Sequence, residues 1–322
     1  MPQRVEALPL VEDVTERAGL EFLDLQTGEP RLVRLLLDTE RLGLAFSPRD
    51  VDGPGGKHSL SERTLQAIWP VCRDRECDGP AILYRMYRDM GVAARGYREL
   101  AGYMACRYDI SVFGHGALGE EWFKTSGHYH PPILEAPTVS YPEVYEVIRG
   151  KCLFLLQSLG NAADVLKPPQ AAPVEDVILL EVHEGERAVM PPNYGHVMIN
   201  HVPDSVVVTS NWVSSRFTSL YGPYEMCHGG AYYVLREGDG LKLEANPRYG
   251  KLPQTVTYGR PRQDLPELGI KPGTPLYTSF YRWPDRWQYV ARPDLRREQL
   301  QWDAVIEAIQ ELTPGEVYHL DC

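Results

Sequence analysis

The sequence lacks a long apolar run and a close CxxC pair of cysteines. A membrane-spanning helix needs about 20 consecutive, mainly apolar residues, so the sequence predicts none. The first 20 residues also lack the apolar centre of a signal peptide, and we therefore expect a cytoplasmic protein. A metal site between Cys72 and Cys77 is disfavoured because no second pair accompanies them. We expect free thiols in a reducing compartment at all six cysteines: Cys72, Cys77, Cys106, Cys152, Cys227 and Cys322.

Positive charge is also scarce. The chain has 33 basic and 44 acidic side chains and a formal net charge of -11. A nucleic-acid-binding protein needs a basic face, so this class is disfavoured, whereas a small anionic substrate needs only a few local donors. The hydrophobic fraction of 43% is that of an ordinary globular protein. At 322 residues, we expect either one large domain with extensions or two domains.

Helical periodicity is rare between about residues 80 and 250. Short segments rich in β-branched and aromatic residues follow one another there, separated by Gly, Pro, Asn and Asp. Examples are AILYRMYRDM, RYDISVFG, EVYEVIRG, KCLFLLQS, DVILLEVHEG and DSVVVTSNWV. Many short strands without intervening helices predict an all-β antiparallel sandwich or barrel with a few short helices.

The two ends of the chain have a different pattern. Near the N-terminus, Leu32, Leu35, Leu36 and Leu42 fit a helix or a strand equally well. Near the C-terminus, the segment LRREQLQWDAVIEAIQEL has apolar residues at helical spacing, followed by Pro and Gly. We predict one amphipathic helix there, with an apolar face formed by Leu300, Val305, Ile309 and Leu312.

Two histidines separated by one residue, His128 and His130, lie in the stretch TSGHYHPPILEAPTVSYPEVYEVIRG. Alternate residues of a strand share a face, so we expect both imidazoles to point the same way. Glu143 begins the next predicted strand and adds a carboxylate. His196, in GERAVMPPNYGHVMIN, is the candidate fourth ligand. Three imidazoles and one carboxylate suit a divalent transition metal. We expect the other histidines to be structural or exposed: His58, His115, His183, His201, His228 and His319.

These segments resemble the two cupin motifs. More narrowly, the chain resembles the cupin-type glucose-6-phosphate isomerases of archaea and some bacteria. The resemblance runs from about residue 46 to 250, through LYRMY, GALGEEWFKTSGHYH, PEVYEVIRGKCLFLLQ, GERAVMPPNYGHVMIN, LYGPY and ANPRYG, in the order of the family. It implies a cupin domain at 46–250, a double-stranded β-helix or jelly-roll barrel. An N-terminal extension (1–45) and a C-terminal extension (251–322) would flank it.

The resemblance also implies roles for single residues. The metal, one per chain, would be iron, or else manganese, nickel or zinc. The residues corresponding to its ligands are His128, His130, Glu143 and His196. The substrate phosphate would be held by hydroxyls and one backbone N–H, which correspond to Tyr84, Ser111, Thr125 and Gly127. Glu143 is the candidate proton shuttle, Tyr145 would orient the sugar oxygens, and Tyr221 would line the site.

The implied activity is an isomerisation of an aldose to a ketose. Glucose 6-phosphate and fructose 6-phosphate would interconvert through an enediolate, a step of glycolysis and gluconeogenesis, in a homodimer with no nucleic-acid or membrane partner. A direct hydride shift is a second possible route. Three further functions also fit the motifs: a different cupin sugar-phosphate isomerase or epimerase, an iron-dependent cupin oxygenase, and a non-enzymatic metabolite-binding cupin. The predicted phosphate-binding residues favour a sugar phosphate over an oxygenase substrate.

The chain departs from the family pattern at four places. The loop at 131–142, PPILEAPTVSYP, is longer than usual, and we expect a lid or an oligomer contact there. Ser111 replaces a threonine and keeps the hydroxyl. Ser219 replaces a histidine, which leaves the identity of the sugar open. Asn193 replaces a glycine, and asparagine tolerates a left-handed turn better than most residues.

Overall fold

A computed structural model describes residues 11–23, 29–47, 59–91, 97–167 and 173–320. The strands are β1 Val11–Asp13, β2 Glu21–Leu23, β3 Pro30–Leu32, β4 Arg34–Asp38, β5 Gly43–Ser47, β6 Ser59–Thr64, β7 Ile82–Arg88, β8 Cys106–Phe113, β9 Ala117–Leu118, β10 Glu121–Lys124, β11 Pro132–Ile133, β12 Ala136–Ser140, β13 Glu143–Arg149, β14 Lys151–Ser158, β15 Val177–His183, β16 Arg187–Met190, β17 Tyr194–Asn200, β18 Val207–Ser214, β19 Tyr232–Glu237, β20 Gly240–Ala245, β21 Val256–Pro261, β22 Ile306–Leu312 and β23 Val317–Tyr318.

The helices are short. The α-helices are α1 Thr15–Ala18, α2 Leu65–Ile68, α3 Tyr97–Tyr103, α4 Gly222–Cys227, α5 Leu276–Arg282 and α6 Trp302–Val305. Further 3-10 turns span Trp69–Val71, Ala162–Leu166, Pro266–Leu268, Pro284–Arg286, Gln288–Val290 and Pro293–Arg296. None of the helices in the described ranges combines the length and apolarity that crossing a bilayer requires.

A large sheet forms one wall of the molecule. In the described part of the chain its order is β22-β21-β15-β14-β17-β10-β19-β20-β23, with β9 beside β10. The central strand β14 carries the run CLFLL, whose residues are at most 2% exposed. Such an unbroken apolar run is typical of a strand covered on both faces. The sheet is antiparallel except for the parallel pair β15 and β21.

A smaller sheet forms the opposite wall, in the order β16-β13-β18-β8-β7-β6. Its strands alternate between polar and apolar residues. On β8, Asp109 and Ser111 line a cavity between the walls, whereas Tyr108 packs against Trp212 on the other face. The two sheets, strongly curved around this cavity, form the predicted all-β cupin barrel, and the fold prediction is confirmed.

The C-terminal segment covers the outer face of the smaller sheet. Phe280 of α5 stacks on Trp212, with ring centroids 3.9 Å apart, and the Trp212 indole N–H donates to the carbonyl of Leu276 at 3.2 Å. Because these aromatic side chains are fully buried, the C-terminal segment supplies part of the hydrophobic core of the barrel.

The predicted C-terminal helix was wrong over most of its length. The helix α6 ends at Val305, and Ile306–Leu312 is a strand, β22, paired with β21. The predicted apolar face does not exist as one surface, because Leu300 and Leu312 are buried while Ile309 is 56% exposed. Hydrogen bonding at the edge of the large sheet overrides the helical spacing of these side chains.

The N-terminal leucines fit a helix or a strand equally well in the sequence, and the structure shows strands in this segment. Leu32 lies in β3, and Leu35 and Leu36 lie in β4, which pairs with β1 and β5. The segment is joined to the barrel by Glu12, whose carboxylate accepts from Arg149 at 2.6 Å. The domain limits at residues 45 and 250 stay predictions. The five cysteines in the described ranges are buried free thiols, as predicted, whereas Cys322 lies outside the described residues.

Candidate metal centre

Four side chains from both walls converge on one point. The nearest donor atoms of His128, His130, Glu143 and His196 all lie within 4.8 Å of one another. The Nε2 atoms of His128 and His130 are 3.1 Å apart. Glu143 Oε2 lies 3.6, 3.2 and 3.3 Å from Nε2 of His128, His130 and His196. Two donors held about 2.1 Å from one ion at angles of 90–109° are about 3.0–3.4 Å apart, which closely matches three of these four separations.

Backbone pairing brings these ligands together. His128 and His196 exchange backbone hydrogen bonds of 3.2 and 3.1 Å, so the HxH segment runs beside β17 of the large sheet. Tyr129 pairs with Leu220 on the other side. The HxH segment is extended, but it is bridged at single residues rather than part of a continuous strand. Glu143 begins β13 of the smaller sheet, where its backbone is paired with Met190 of β16 and Val213 of β18.

Hydrogen bonds orient two of the ligands. His130 Nδ1 lies 2.8 Å from the carbonyl oxygen of Tyr141, which can only accept, so Nδ1 is the donor of this contact and Nε2 faces the cluster. The Asn211 amide donates to Glu143 Oε1 at 2.6 Å. Glu143 Oε2 is buried and has no hydrogen-bond partner among the described residues, although it faces the three imidazoles. A buried carboxylate oxygen without a donor is unusual, and a cation at this point would satisfy it.

Burial sets the protonation of the cluster. Desolvation, reinforced by the neighbouring His196, lowers the pKa of His128 to about 3, and burial also lowers the pKa of His196. Burial opposes ionisation of Glu143, but the contacts with the three histidines hold its pKa well below the usual value. Neutral His128 and His196 beside an ionised Glu143, with His130 next to them, form a donor set that a divalent transition metal takes, so these four residues fit such an ion.

We expect the purified protein to contain about one divalent ion per chain, and the variants His128→Ala and His196→Ala to lose it. Each substitution removes one of four donors and leaves the remaining three with an open position. His115→Ala is the matched control, because His115 is exposed and its Nδ1 contacts the carbonyl of Pro203. Elemental analysis of the three variants measures the effect. Full metal content in His128→Ala and His196→Ala would contradict the assignment.

One cavity is lined by the residues that the sequence predicted to bind the substrate. Its wall includes three of the four candidate ligands, while His130 lies buried behind it. The predicted phosphate and sugar residues all line the same cavity: Tyr84, Ser111, Thr125, Gly127, Tyr145 and Tyr221. The structure thus places every candidate site residue in or against one cavity, and their individual roles stay predictions.

Three of these residues have defined local contacts. Thr125 Oγ1 accepts from the Met198 N–H at 3.1 Å, which leaves its hydroxyl proton available for another acceptor. Gly127 has φ +68°, and a Cβ there would lie 2.6 Å from Val197 Cγ2, so the fold itself requires glycine. The hydroxyl of Tyr145 lies 3.4 Å from His196 Nε2, and burial raises the pKa of Tyr145 well above its usual value, which keeps the phenol protonated.

The inserted loop at 131–142 is a hairpin of β11 and β12. Asn193 has φ +71°, as expected for a residue in place of glycine. Asn193 and Ser140 exchange hydrogen bonds of 2.9 and 2.7 Å, which attaches the hairpin to the turn before β17. The end of the same insertion supplies the Tyr141 carbonyl that orients His130. A lid or oligomer contact at this loop stays a prediction.

Sequence reasoning missed several polar residues of the cavity: Arg88, Arg107, Asp109, Ser126 and Asn211. Asp109 is buried, and its carboxylate lies 3.4 Å from Arg88 Nη1 and 3.1 Å from Arg107 Nε. The signal for Asp109 was its alternate spacing with Ser111 on one strand, which places both on one face. Asn211 gave no comparable signal, because its importance comes from the pairing of β18 with β13.

Comparison with known proteins identifies one family model that matches the chain. A family model described as glucose-6-phosphate isomerase (GPI) matches residues 76–249, more than half of the chain. A comparison with curated proteins gave no significant match. Among solved structures, the chain is similar to an oxalate decarboxylase at 12% identity and TM-score 0.28, over 43% of this chain and 28% of that one. An oxalate oxidase matches at 15% identity and TM-score 0.29, over 44% and 55%. The chain spans less than two thirds of either structure.

Proposed function

The chain belongs to the glucose-6-phosphate isomerase family, and we propose that it interconverts glucose 6-phosphate and fructose 6-phosphate with the help of one divalent transition metal. The observation that carries the proposal is the shared cavity. The cluster of three histidines and Glu143 opens into the same space as the hydroxyl groups of Tyr84, Ser111 and Thr125. A metal site next to neutral hydrogen-bond donors suits a sugar phosphate better than a small diacid.

The reaction moves a hydrogen between two adjacent sugar carbons and exchanges the positions of carbonyl and hydroxyl. A divalent ion held by the four ligands would stabilise the negative charge that develops on the neighbouring oxygens. Glu143 is the candidate base, since the low pKa keeps its carboxylate ionised at neutral pH. Tyr145 stays protonated and can donate to a sugar oxygen.

The phosphate end of the cavity contains hydroxyl donors. Tyr84 is buried, which raises its pKa and keeps the phenol as a donor. Thr125 has already accepted the Met198 N–H, so its own proton is the one it can offer to phosphate. We propose that these two residues, with Ser111 and the backbone N–H of Gly127, hold the substrate phosphate and fix the distance of the reacting carbons from Glu143.

A coupled assay tests the proposed reaction directly. Fructose 6-phosphate is converted to glucose 6-phosphate, which a dehydrogenase then oxidises, and the protein is used as purified, after chelation, and after addition of iron, manganese, nickel or zinc. We expect turnover that chelation abolishes and at least one metal restores. Metal-replete protein that turns over neither sugar phosphate would exclude this activity and favour a metabolite-binding protein.

The variant Thr125→Val is expected to raise KM for fructose 6-phosphate and to leave the metal content unchanged. It removes one donor to a charged acceptor, worth about 1.5–3 kcal/mol. Thr125→Ser is the matched control, because it keeps the hydroxyl that accepts from Met198 and donates to the ligand. Steady-state kinetics and elemental analysis of both variants measure the effect. An unchanged KM in Thr125→Val would show that the phosphate lies elsewhere.

A further inference from the structure

A second cavity adjoins the first. The walls of the two cavities share five residues: Met86, Arg88, Arg107, Ser219 and Tyr221. We call this second cavity the vestibule. The vestibule is also lined by Ser61, Glu62, Arg63, Phe217 and Thr218.

Three arginines line the vestibule of a chain whose net charge is -11. Arg88 and Arg107 share the carboxylate of Asp109, and Glu143 and Asp89 also act on Arg107. Arg63 is flanked by the phenols of Tyr84 and Tyr221, and its guanidinium carbon lies 5.2 Å from the Tyr221 ring centre. The carboxylate of Glu62 accepts from Arg85 at 2.8 Å and is therefore already paired.

Two buried donors of the vestibule wall make no hydrogen bond to the described residues. Ser61 Oγ and Arg63 Nε are inaccessible to solvent and make no hydrogen bond in the described part of the chain. Both residues belong to β6, where alternate side chains share a face, and both line the vestibule. Buried polar atoms in native proteins are nearly always hydrogen-bonded, so these two atoms leave unused donor capacity on this wall.

We propose that the vestibule is an anion-binding subsite for a phosphate group, formed by Ser61, Arg63, Arg88 and Arg107. Guanidinium groups match the oxygens of phosphate in geometry and charge, and a serine hydroxyl adds a neutral donor. This subsite adjoins the hydroxyl-lined phosphate position of the proposed isomerase, because Arg63 lies opposite Tyr84 and both cavities are lined by Arg88 and Arg107, and we expect the two positions to be filled together. The phosphate belongs either to free inorganic phosphate or to a second phosphate group on a longer ligand.

Equilibrium binding of inorganic phosphate tests this subsite on the full metal-bound chain. In the presence of saturating fructose 6-phosphate, which fills the inner position, we expect one equivalent of inorganic phosphate to bind still. Arg63→Gln and Arg107→Gln should each weaken that binding by about 10-fold or more, and Ser61→Ala less. Arg260→Gln is the matched control, because Arg260 pairs with Glu186 at 2.7 Å and neither residue lines the vestibule.

A sugar bisphosphate separates the two sources of phosphate. If the second group of one ligand fills the vestibule, the bisphosphate should bind at least about 10-fold more tightly than inorganic phosphate, and Arg63→Gln should remove that advantage. If free phosphate is the ligand, the two should bind with similar affinity and compete. Either result supports the subsite. An unchanged melting temperature and metal content would show that the variants are folded. Arg63→Lys is a second, milder variant, which keeps the positive charge and removes the guanidinium group.

Two outcomes would overturn the proposal. One is the absence of phosphate binding when fructose 6-phosphate is present, and the other is equal phosphate affinity in the wild type and in Arg63→Gln and Arg107→Gln. The result does not depend on turnover. If the coupled assay shows no isomerase activity, arginine-dependent phosphate binding to the free protein still identifies the vestibule, so the two proposals fail separately.

Discussion

Replacement of Glu143 by glutamine is expected to lower kcat by about 10²–10⁴-fold even when the enzyme is saturated with metal, if Glu143 transfers the proton. An amide oxygen can still bind a cation, but an amide cannot accept a proton near neutral pH. If Glu143 is only a ligand, Glu143→Gln should lower metal affinity and excess metal should restore kcat. Turnover of the metal-saturated variant, measured at several metal concentrations, separates these two roles.

The surroundings of Glu143 shape this experiment. In the wild type, Asn211 donates to Oε1 while Oε2 faces the histidines. In Glu143→Gln, an oxygen toward Asn211 would place an N–H₂ group against the imidazole lone pairs and weaken metal binding. A turn of the Asn211 amide by 180° lets the glutamine oxygen face the metal position instead. Excess metal is therefore part of the measurement, and elemental analysis at each concentration is its control.

Solvent deuterium gives an independent readout of the same step. Proton transfer through an enediol should bring deuterium from heavy water into the sugar at the carbon beside the carbonyl, whereas a direct hydride shift should not. Normal kcat in metal-saturated Glu143→Gln, together with no deuterium in the product, would show that Glu143 is not the base. The low pKa of the Glu143 carboxylate favours binding to a cation but makes the carboxylate a weaker base. Both proton transfer and a direct hydride shift are therefore compatible with this site.

The candidate metal site was predictable because its signals are local. His128 and His130 are two residues apart, and Glu143 and His196 each begin or occupy a recognisable strand. The many short strand-like segments predicted the barrel, because this pattern is also local in the sequence. The pairing of distant strands is not encoded in local spacing, which explains why Asn211 was missed. Its hydrogen bond to Glu143 depends on the register of β18 against β13.

The C-terminal error has a physical cause. Val305, Ile309 and Leu312 have the spacing of a helix face, and propensity alone could not reveal the open edge of β21. Once that edge is available, a strand satisfies the backbone of Ile306–Leu312 through pairing. Arg63 was missed for a similar reason. It looks like an ordinary exposed residue in sequence, and only the pairing of β6 with β7 places it opposite Tyr84.

A buried ion pair joins the barrel to the C-terminal segment. Arg187 Nη2 lies 2.9 Å from Glu146 Oε1, and the side chains of Arg187 and Glu146 are 5% and 1% exposed. The second oxygen of Glu146 accepts from the backbone N–H of Leu276 at 2.8 Å, at the start of α5. Burial raises the pKa of Glu146 to about 7, while Arg187 opposes that rise. The carboxylate therefore depends on Arg187 to stay ionised inside the fold.

The variant Arg187→Met is expected to lose about 1.4 kcal/mol of unfolding free energy for each pH unit above about 7, because the buried Glu146 must then either take up a proton or stay charged without its partner. Without Arg187 the pKa of Glu146 rises further above its unfolded value. The variant and the wild type should therefore differ little at pH 5, where both folded proteins keep the carboxyl neutral, and the extra loss should grow as pH rises above about 7. Denaturant unfolding at pH 5 and pH 8 measures the difference.

Two comparisons make the result specific to the pair. Glu146→Gln combined with Arg187→Met removes both charges and keeps an acceptor for the Leu276 N–H, so it should recover most of the loss at pH 8. Arg85→Met breaks the partly exposed pair with Glu62 and should cost at most about 1 kcal/mol at either pH. A small, pH-independent loss in Arg187→Met would show that water solvates Glu146 and that the ion pair does not hold the C-terminal segment on the barrel.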